Sequence, residues 1–118
     1  MVVEDNDLNR KLFCDVLKAN GFEVAPVADG EVVLETARQE SPDLIIMDIQ
    51  LPGISGVDLI TAAKQDAKLR DIPVLAVTAF AAKGDEDRIR SAGAAAYLAK
   101  QVSIIPFMNA VKGLLPEA

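Results

Sequence analysis

Five polar side chains stand where apolar runs end. Glu4 and Asp5 follow Met1–Val3, Asp48 follows Leu44–Met47, Thr78 follows Ile72–Val77, and Lys100 follows Ala94–Leu98. Three carboxylates brought together repel one another. A hard cation such as Mg²⁺, which takes a few oxygen ligands and keeps waters, relieves that repulsion. A carboxylate beside such a cation can attack a phosphoryl group and form an acyl phosphate, and Asp48 fits that part. A hydroxyl (Thr78) and a fixed ammonium (Lys100) suit the oxygens of the transferred group. Each residue alone has an ordinary explanation, since an Asp after a strand often caps a helix or closes a loop. At the ends of four separate runs, they point to one shared site.

The elements that must position them alternate along the whole chain. Met1–Val3 is a very short β-like run. Leu8, Leu12, Val16 and Leu17 then recur at helical spacing, and Asn20-Gly21 supplies a stop. Phe22–Val27 reads as a strand, with Pro26 indicating an edge or a strand end. Asp29-Gly30 turns into a second helix carrying Val33, Leu34 and Ala37, which closes near Ser41-Pro42. Leu44–Met47 is unbroken and apolar, as expected of a strand buried on both faces of a parallel sheet. A loop of turn formers, Gln50-Leu51-Pro52-Gly53, leads to a third helix with Leu59, Ile60 and Ala63. Ile72–Val77 is a fourth strand. A fourth helix runs from Asp85 to Ala92 and stops at Gly93. Ala94–Leu98 is a weak fifth strand, and a last helix begins near Ser103 with Pro106 in its first turn, where a missing N–H is tolerated. Five strand–helix units predict an α/β, doubly wound, five-stranded parallel sheet with helices on both faces. Ligands of such sheets bind at the carboxyl ends of the strands, where the five polar residues fall.

Composition narrows the function classes. At 118 residues the chain has the size of one domain and can bury roughly two-thirds of its unfolded surface. Only 4% is aromatic and there is no Trp, so the core must be aliphatic and a large flat cofactor finds few stacking partners. The net charge of −6 argues against nucleic acid and anionic membranes as direct partners. The absence of His removes imidazole catalysis, His–metal sites and phosphohistidine from this chain. The single cysteine, Cys14, rules out an internal disulfide, fits a cytoplasmic setting, and reads as a small packed hydrophobe. No apolar run approaches the ~18 residues of a spanning helix, so direct membrane insertion is not expected.

These motifs resemble the bacterial response-regulator receiver family over essentially the whole chain. The matching runs are Val3-Glu4-Asp5-Asn6, Asp43-Leu44-Ile45-Ile46-Met47-Asp48, Leu51-Pro52 with Gly56, and Val77-Thr78-Ala79. Met47–Pro52, Ala76–Ala81 and Lys83-Gly84-Asp85-Glu86 bring it closer still to the single-domain cell-cycle members of that family. The resemblance implies a flavodoxin-like strand order, 2-1-3-4-5, and a receiver spanning residues 1–118 without an output domain. It implies Asp48 as phosphoacceptor and Mg²⁺ held by Asp5, Asp48 and the backbone carbonyl of Gln50, with Glu4 holding a metal-bound water. Thr78 and Lys100 would contact the phosphoryl group. Thr78 and Tyr97 would form the switch, and Phe80 and Gln50 would flank the site where hydrolysis is tuned. The partners implied are histidine kinases or phosphotransfer proteins, met as a monomer or weak dimer. The chain's own chemistry would be limited to self-catalysed phosphotransfer and dephosphorylation at Asp48.

Two departures stand out. The first strand is shorter than in relatives, which should lower stability, because each buried apolar residue contributes ~1.5–3 kcal/mol. Gln101 follows Lys100 where the family has a proline whose peptide bond is generally cis. A cis bond before Gln costs ~2.5–4 kcal/mol, so Lys100–Gln101 is expected to be trans, with the Lys100 ammonium displaced. That departure supports an alternative function, a phosphorylation-independent receiver-like adaptor with a compromised switch. A metal-dependent phosphohydrolase or a flavin protein on the same fold forms a third class. There is no P-loop-type glycine run for phosphate and no aromatic pair to sandwich a flavin.

Overall fold

The computed structural model describes residues 1–51, 53–78, 83–99 and 104–114. In chain order these form β1 (Val2–Val3), α1 (Asp7–Ala19), β2 (Pro26–Val27), a 3₁₀ turn (Gly30–Val32), α2 (Val33–Glu40), β3 (Ile45–Asp48), β4 (Gln50–Leu51), β5 (Ile54–Ser55), α3 (Gly56–Gln65), β6 (Val74–Thr78), α4 (Lys83–Ala92), β7 (Ala96–Ala99) and α5 (Ile104–Leu114). The main sheet has the order β2-β1-β3-β6-β7, every pair parallel. Its five strands, taken in chain order, give the expected 2-1-3-4-5 arrangement.

The central strands explain why no alternation is visible in the sequence. Successive residues of a strand point to opposite faces, and here both faces are covered. Ile45, Met47, Val74 and Ala76 enter one core with Val33, Ala37, Leu59, Ile60, Ala63 and Ile89, from α2, α3 and α4. Ile46, Leu75 and Val77 enter the other with Cys14, Leu17, Phe107, Met108 and Val111, from α1 and α5. The rings of Phe13 and Phe107 stack with centroids 5.1 Å apart, tying α1 to α5. Cys14 is buried, and that burial pushes its thiol pKa up, which keeps it in the neutral form of a packed hydrophobe.

Local chemistry sets the helix ends. Asn6 caps α1 by accepting from the Asn9 N–H at 3.0 Å, and Gly21 leaves the helix with φ of 87°, a conformation that costs glycine least. Ser55 caps α3 through the Val57 N–H. Lys64, near the end of α3, donates to the carbonyls of Ile72 (2.9 Å) and Arg70 (3.2 Å), which fixes the approach to β6.

The structure departs from the sequence reading in three places. Phe22 and Val24 pack as partly buried side chains, but only Pro26–Val27 pairs with the sheet. The predicted loop after Asp48 carries a two-stranded antiparallel ribbon, Gln50–Leu51 against Ile54–Ser55. On α1 the buried side is Cys14 and Leu17, with Phe13 and Val16 partly buried, whereas Leu8 is 75% exposed and Leu12 53% exposed. The short first strand holds a central place: Val2 and Val3 are each 1% exposed and pair on both sides.

Candidate functional site

Asp48 is the last residue of β3 and lies opposite Val77 of β6. The next amide, of Ile49, donates to the Val77 carbonyl at 3.0 Å, so the chain is still held by the sheet as it leaves the strand. The segment then folds back. The Gly56 N–H donates to the Ile49 carbonyl at 3.1 Å, and the backbone of Gly56 presses against Asp48 and Ile49. A Cβ at position 56 would stand 2.6 Å from Ile49 Cα and 2.7 Å from the Asp48 carbonyl oxygen. The glycine is therefore required by close approach, and it sets the path of the backbone that carries Asp48.

Glu4 follows β1 directly and its N–H still donates to the Val27 carbonyl at 3.0 Å. Glu4 is 1% exposed and Asp48 2%, while Asp5 faces solvent. Carboxylate oxygens of Glu4, Asp5 and Asp48 all lie within 4.8 Å of one another. Burying two like charges beside a third is unfavourable unless something of opposite charge joins them. The donor set consists of hard oxygens, which suits Mg²⁺ or a similar cation better than a soft metal.

Thr78 closes β6 one residue beyond Val77, the partner of Asp48, and is 2% exposed. It pairs in register with Ala99 of β7. Tyr97 lies in β7 opposite Ala76 and packs, partly buried, against the core on the α2–α4 face. Gln50 pairs with Ser55 in the ribbon that follows Asp48. Lys100, Gln101, Phe80 and Ser103 lie outside the described residues, as does the expected trans bond between Lys100 and Gln101.

Sequence reading missed Asn9 and Arg10. Asn9 Nδ2 donates to Glu4 Oε1 at 3.1 Å, and Arg10 Nη1 donates to the Glu4 carbonyl at 2.9 Å. Polar residues in a helix's first turns ordinarily read as a solvated face. The usable signal was their position, five and six residues after a predicted metal-site carboxylate.

A family model described as the response regulator receiver domain matches residues 1–112. The chain belongs to the response-regulator receiver family. The Brucella ovis protein named "Polar-differentiation response regulator DivK" is 50% identical to this receiver over 118 residues, covering 100% of this chain and 96% of its own length. The receiver domain of a sensor histidine kinase from Pseudomonas aeruginosa PAO1 superposes with a TM-score of 0.87 at 30% identity, over 96% of this chain and 93% of that one. That structure holds a magnesium ion in its active-site cleft. The receiver domain of a signal transduction histidine kinase from Syntrophus aciditrophicus superposes with a TM-score of 0.88 at 28% identity, over 97% and 86% of the two chains. Among the described residues, no helix is long and apolar enough to cross a membrane.

Proposed function

We propose that this receiver takes a phosphoryl group onto Asp48 from the phosphohistidine of a histidine kinase or phosphotransfer protein. The observation that carries the reading is the convergence of Glu4, Asp5 and Asp48, with oxygens within 4.8 Å, at the carboxyl end of the sheet. In the transfer, an oxygen of the Asp48 carboxylate forms a bond to phosphorus as the bond from phosphorus to the donor's imidazole nitrogen breaks. The leaving imidazole is on the partner, which explains how a chain without His takes part in this chemistry. Asp5, Asp48 and the backbone carbonyl of Gln50 would hold Mg²⁺, with Glu4 holding one of its waters. When bound, the cation supplies positive charge against the phosphoryl oxygens. The Thr78 hydroxyl and the Lys100 ammonium are assigned to those same oxygens. Repositioning of Thr78 on the phosphoryl group, coupled to Tyr97, would bias a two-state equilibrium that is read by protein binding in trans.

An apolar face of α1 suits the donor. Leu8 and Leu12 lie four residues apart and exposed on the helix that begins three residues after Glu4. This continuity with the site favours the phosphohistidine-bearing partner as what the face meets. The likeness to DivK proteins, whose name refers to polar differentiation, supports an output in cell-cycle or cell-division control.

Label transfer tests the reading. A phosphotransfer protein carrying radiolabelled phosphohistidine is mixed with the receiver and Mg²⁺. The label should move to the receiver, leave it in mild alkali as an acyl phosphate does, and fail to move to Asp48→Ala. A folded receiver that takes no label, together with an Asp48→Ala variant that retains all cellular function, would establish the adaptor reading instead.

A further inference from the structure

Consecutive residues of α1 grip the segment that carries the first two carboxylates. Asn9 Nδ2 holds the Glu4 carboxylate through Oε1 at 3.1 Å. Arg10 Nη1 holds the Glu4 carbonyl at 2.9 Å and reaches the Asp5 carbonyl at 3.4 Å. The other end of the guanidinium is fixed by Asp7, with Nη2 to Oδ1 at 2.5 Å. Helix α1 needs neither side chain for its own start, because Asn6 already accepts from the Asn9 N–H and Asp7 already places a negative charge in the first turn. The grip acts on the loop. With their carbonyls bonded to Arg10, Glu4 and Asp5 have their side chains left to meet Asp48.

We infer that Asn9 and Arg10 are positioning residues for the cation site. Asn9 fixes the rotamer of Glu4, and Arg10 fixes the backbone on which Glu4 and Asp5 both stand. The inference rests on the proposed Mg²⁺ site and extends it to residues that touch neither the ion nor the phosphoryl group. Partners that orient metal-binding groups commonly account for 10–100-fold in affinity.

Charge and positioning predict opposite signs for Arg10. Removing a cation beside three carboxylates, by electrostatics alone, should tighten Mg²⁺ binding. Losing the grip should weaken it. The test is titration calorimetry of Mg²⁺ into the full chain for wild type, Asn9→Leu, Asn9→Ala, Arg10→Met and Arg10→Lys, with thermal melts recorded without Mg²⁺. Asn9→Leu and Arg10→Met should each raise the Mg²⁺ Kd by roughly tenfold or more, and Arg10→Lys, which keeps the charge and a donor group, should recover part of the loss. A purely structural role would lower the Mg²⁺-free melting temperature and leave the Kd of the folded protein unchanged. Should Asn9→Leu prove unable to fold, Asn9→Ala carries the same prediction. Kd values within twofold of wild type, or tighter binding by Arg10→Met, would overturn the inference while leaving the site intact. A wild type that binds no Mg²⁺, or an Asp48→Ala variant that binds it equally well, would instead remove the proposed site, and the inference with it.

Discussion

Two loops frame Asp48, and they are built on different principles. The β1–α1 loop is held by side chains: the Asn6 cap, Asn9 on the Glu4 carboxylate, and Arg10 on two carbonyls. The β3–α3 loop is held by backbone: the β4–β5 ribbon and the approach of Gly56 to Asp48 and Ile49. Side-chain anchors can be weakened one hydrogen bond at a time, at about 0.5–1.5 kcal/mol each. A backbone contact that leaves no room for a Cβ has no such gradation. The first loop is therefore where evolution or design can tune the proposed cation site, and the second is where Asp48, the proposed phosphoacceptor, is fixed in place.

The largest expected effect on this contrast comes from Gly56→Ala. Because a Cβ there would clash with backbone atoms of Asp48 and Ile49, the ribbon must shift, at about 1–3 kcal/mol as in other overpacked sites. A urea titration should show that loss, and phosphorylation should fall further than stability alone accounts for. Stability loss without any change in phosphorylation would mean that Gly56 does not set the Asp48 backbone. Next is Asn6→Ala, which removes a helix cap worth ~1 kcal/mol. Asn6→Asp, able to accept the same bond, should be close to wild type, and equal damage by both variants would show that the loop is not held by side-chain acceptance.

Asp66 offers a smaller, pH-dependent effect behind the second loop. It terminates α3, accepts from the Lys68 N–H at 2.8 Å, and pairs with Arg38 of α2 at 2.6 Å. The Lys68 hydrogen bond, and then the Arg38 guanidinium, hold its carboxyl below the usual carboxylate range. A depressed folded pKa stabilises the fold above the unfolded value of about 3.9, and that contribution is lost as the pH falls through the folded value. The stability advantage of wild type over Asp66→Asn should thus be constant near neutrality and shrink below about pH 4. An advantage independent of pH in that range would assign it to packing instead. The smallest effect on stability belongs to Leu8→Asn and Leu12→Asn, each within about 0.5 kcal/mol because both positions are exposed. Both should nonetheless slow phosphotransfer from a protein donor and leave phosphorylation by a small-molecule donor unchanged.

Much of the architecture was legible because independent local signals agreed. The unbroken run before Asp48 marked a strand covered on both faces, Pro26 marked an edge, and Leu59, Ile60 and Ala63 marked the buried side of α3. The convergence of Glu4, Asp5 and Asp48 followed from the sheet's topology, since all three leave strands at one end. Elements shaped by tertiary contact were not legible. Strands of two residues, such as β4 and β5, have no periodicity to detect. Phe22 and Val24 look like strand residues because they are apolar, yet they pack without pairing. On α1, positions 8 and 12 and positions 13, 14, 16 and 17 both offer apolar residues at helical spacing, and only the docking of α1 on the sheet and against Phe107 selects the second stripe. Asn9 and Arg10 were hidden for a related reason: their partners include backbone atoms, and sequence pattern carries no information about those.

The most direct measurement is the intact mass of the receiver after incubation with acetyl phosphate, with and without Mg²⁺, beside Asp48→Ala. The expected result is a gain of one phosphoryl group that requires Mg²⁺ and is absent from the variant. A folded wild-type protein that gains nothing, or a variant that gains the same mass, would contradict the assignment of Asp48 as the phosphoacceptor.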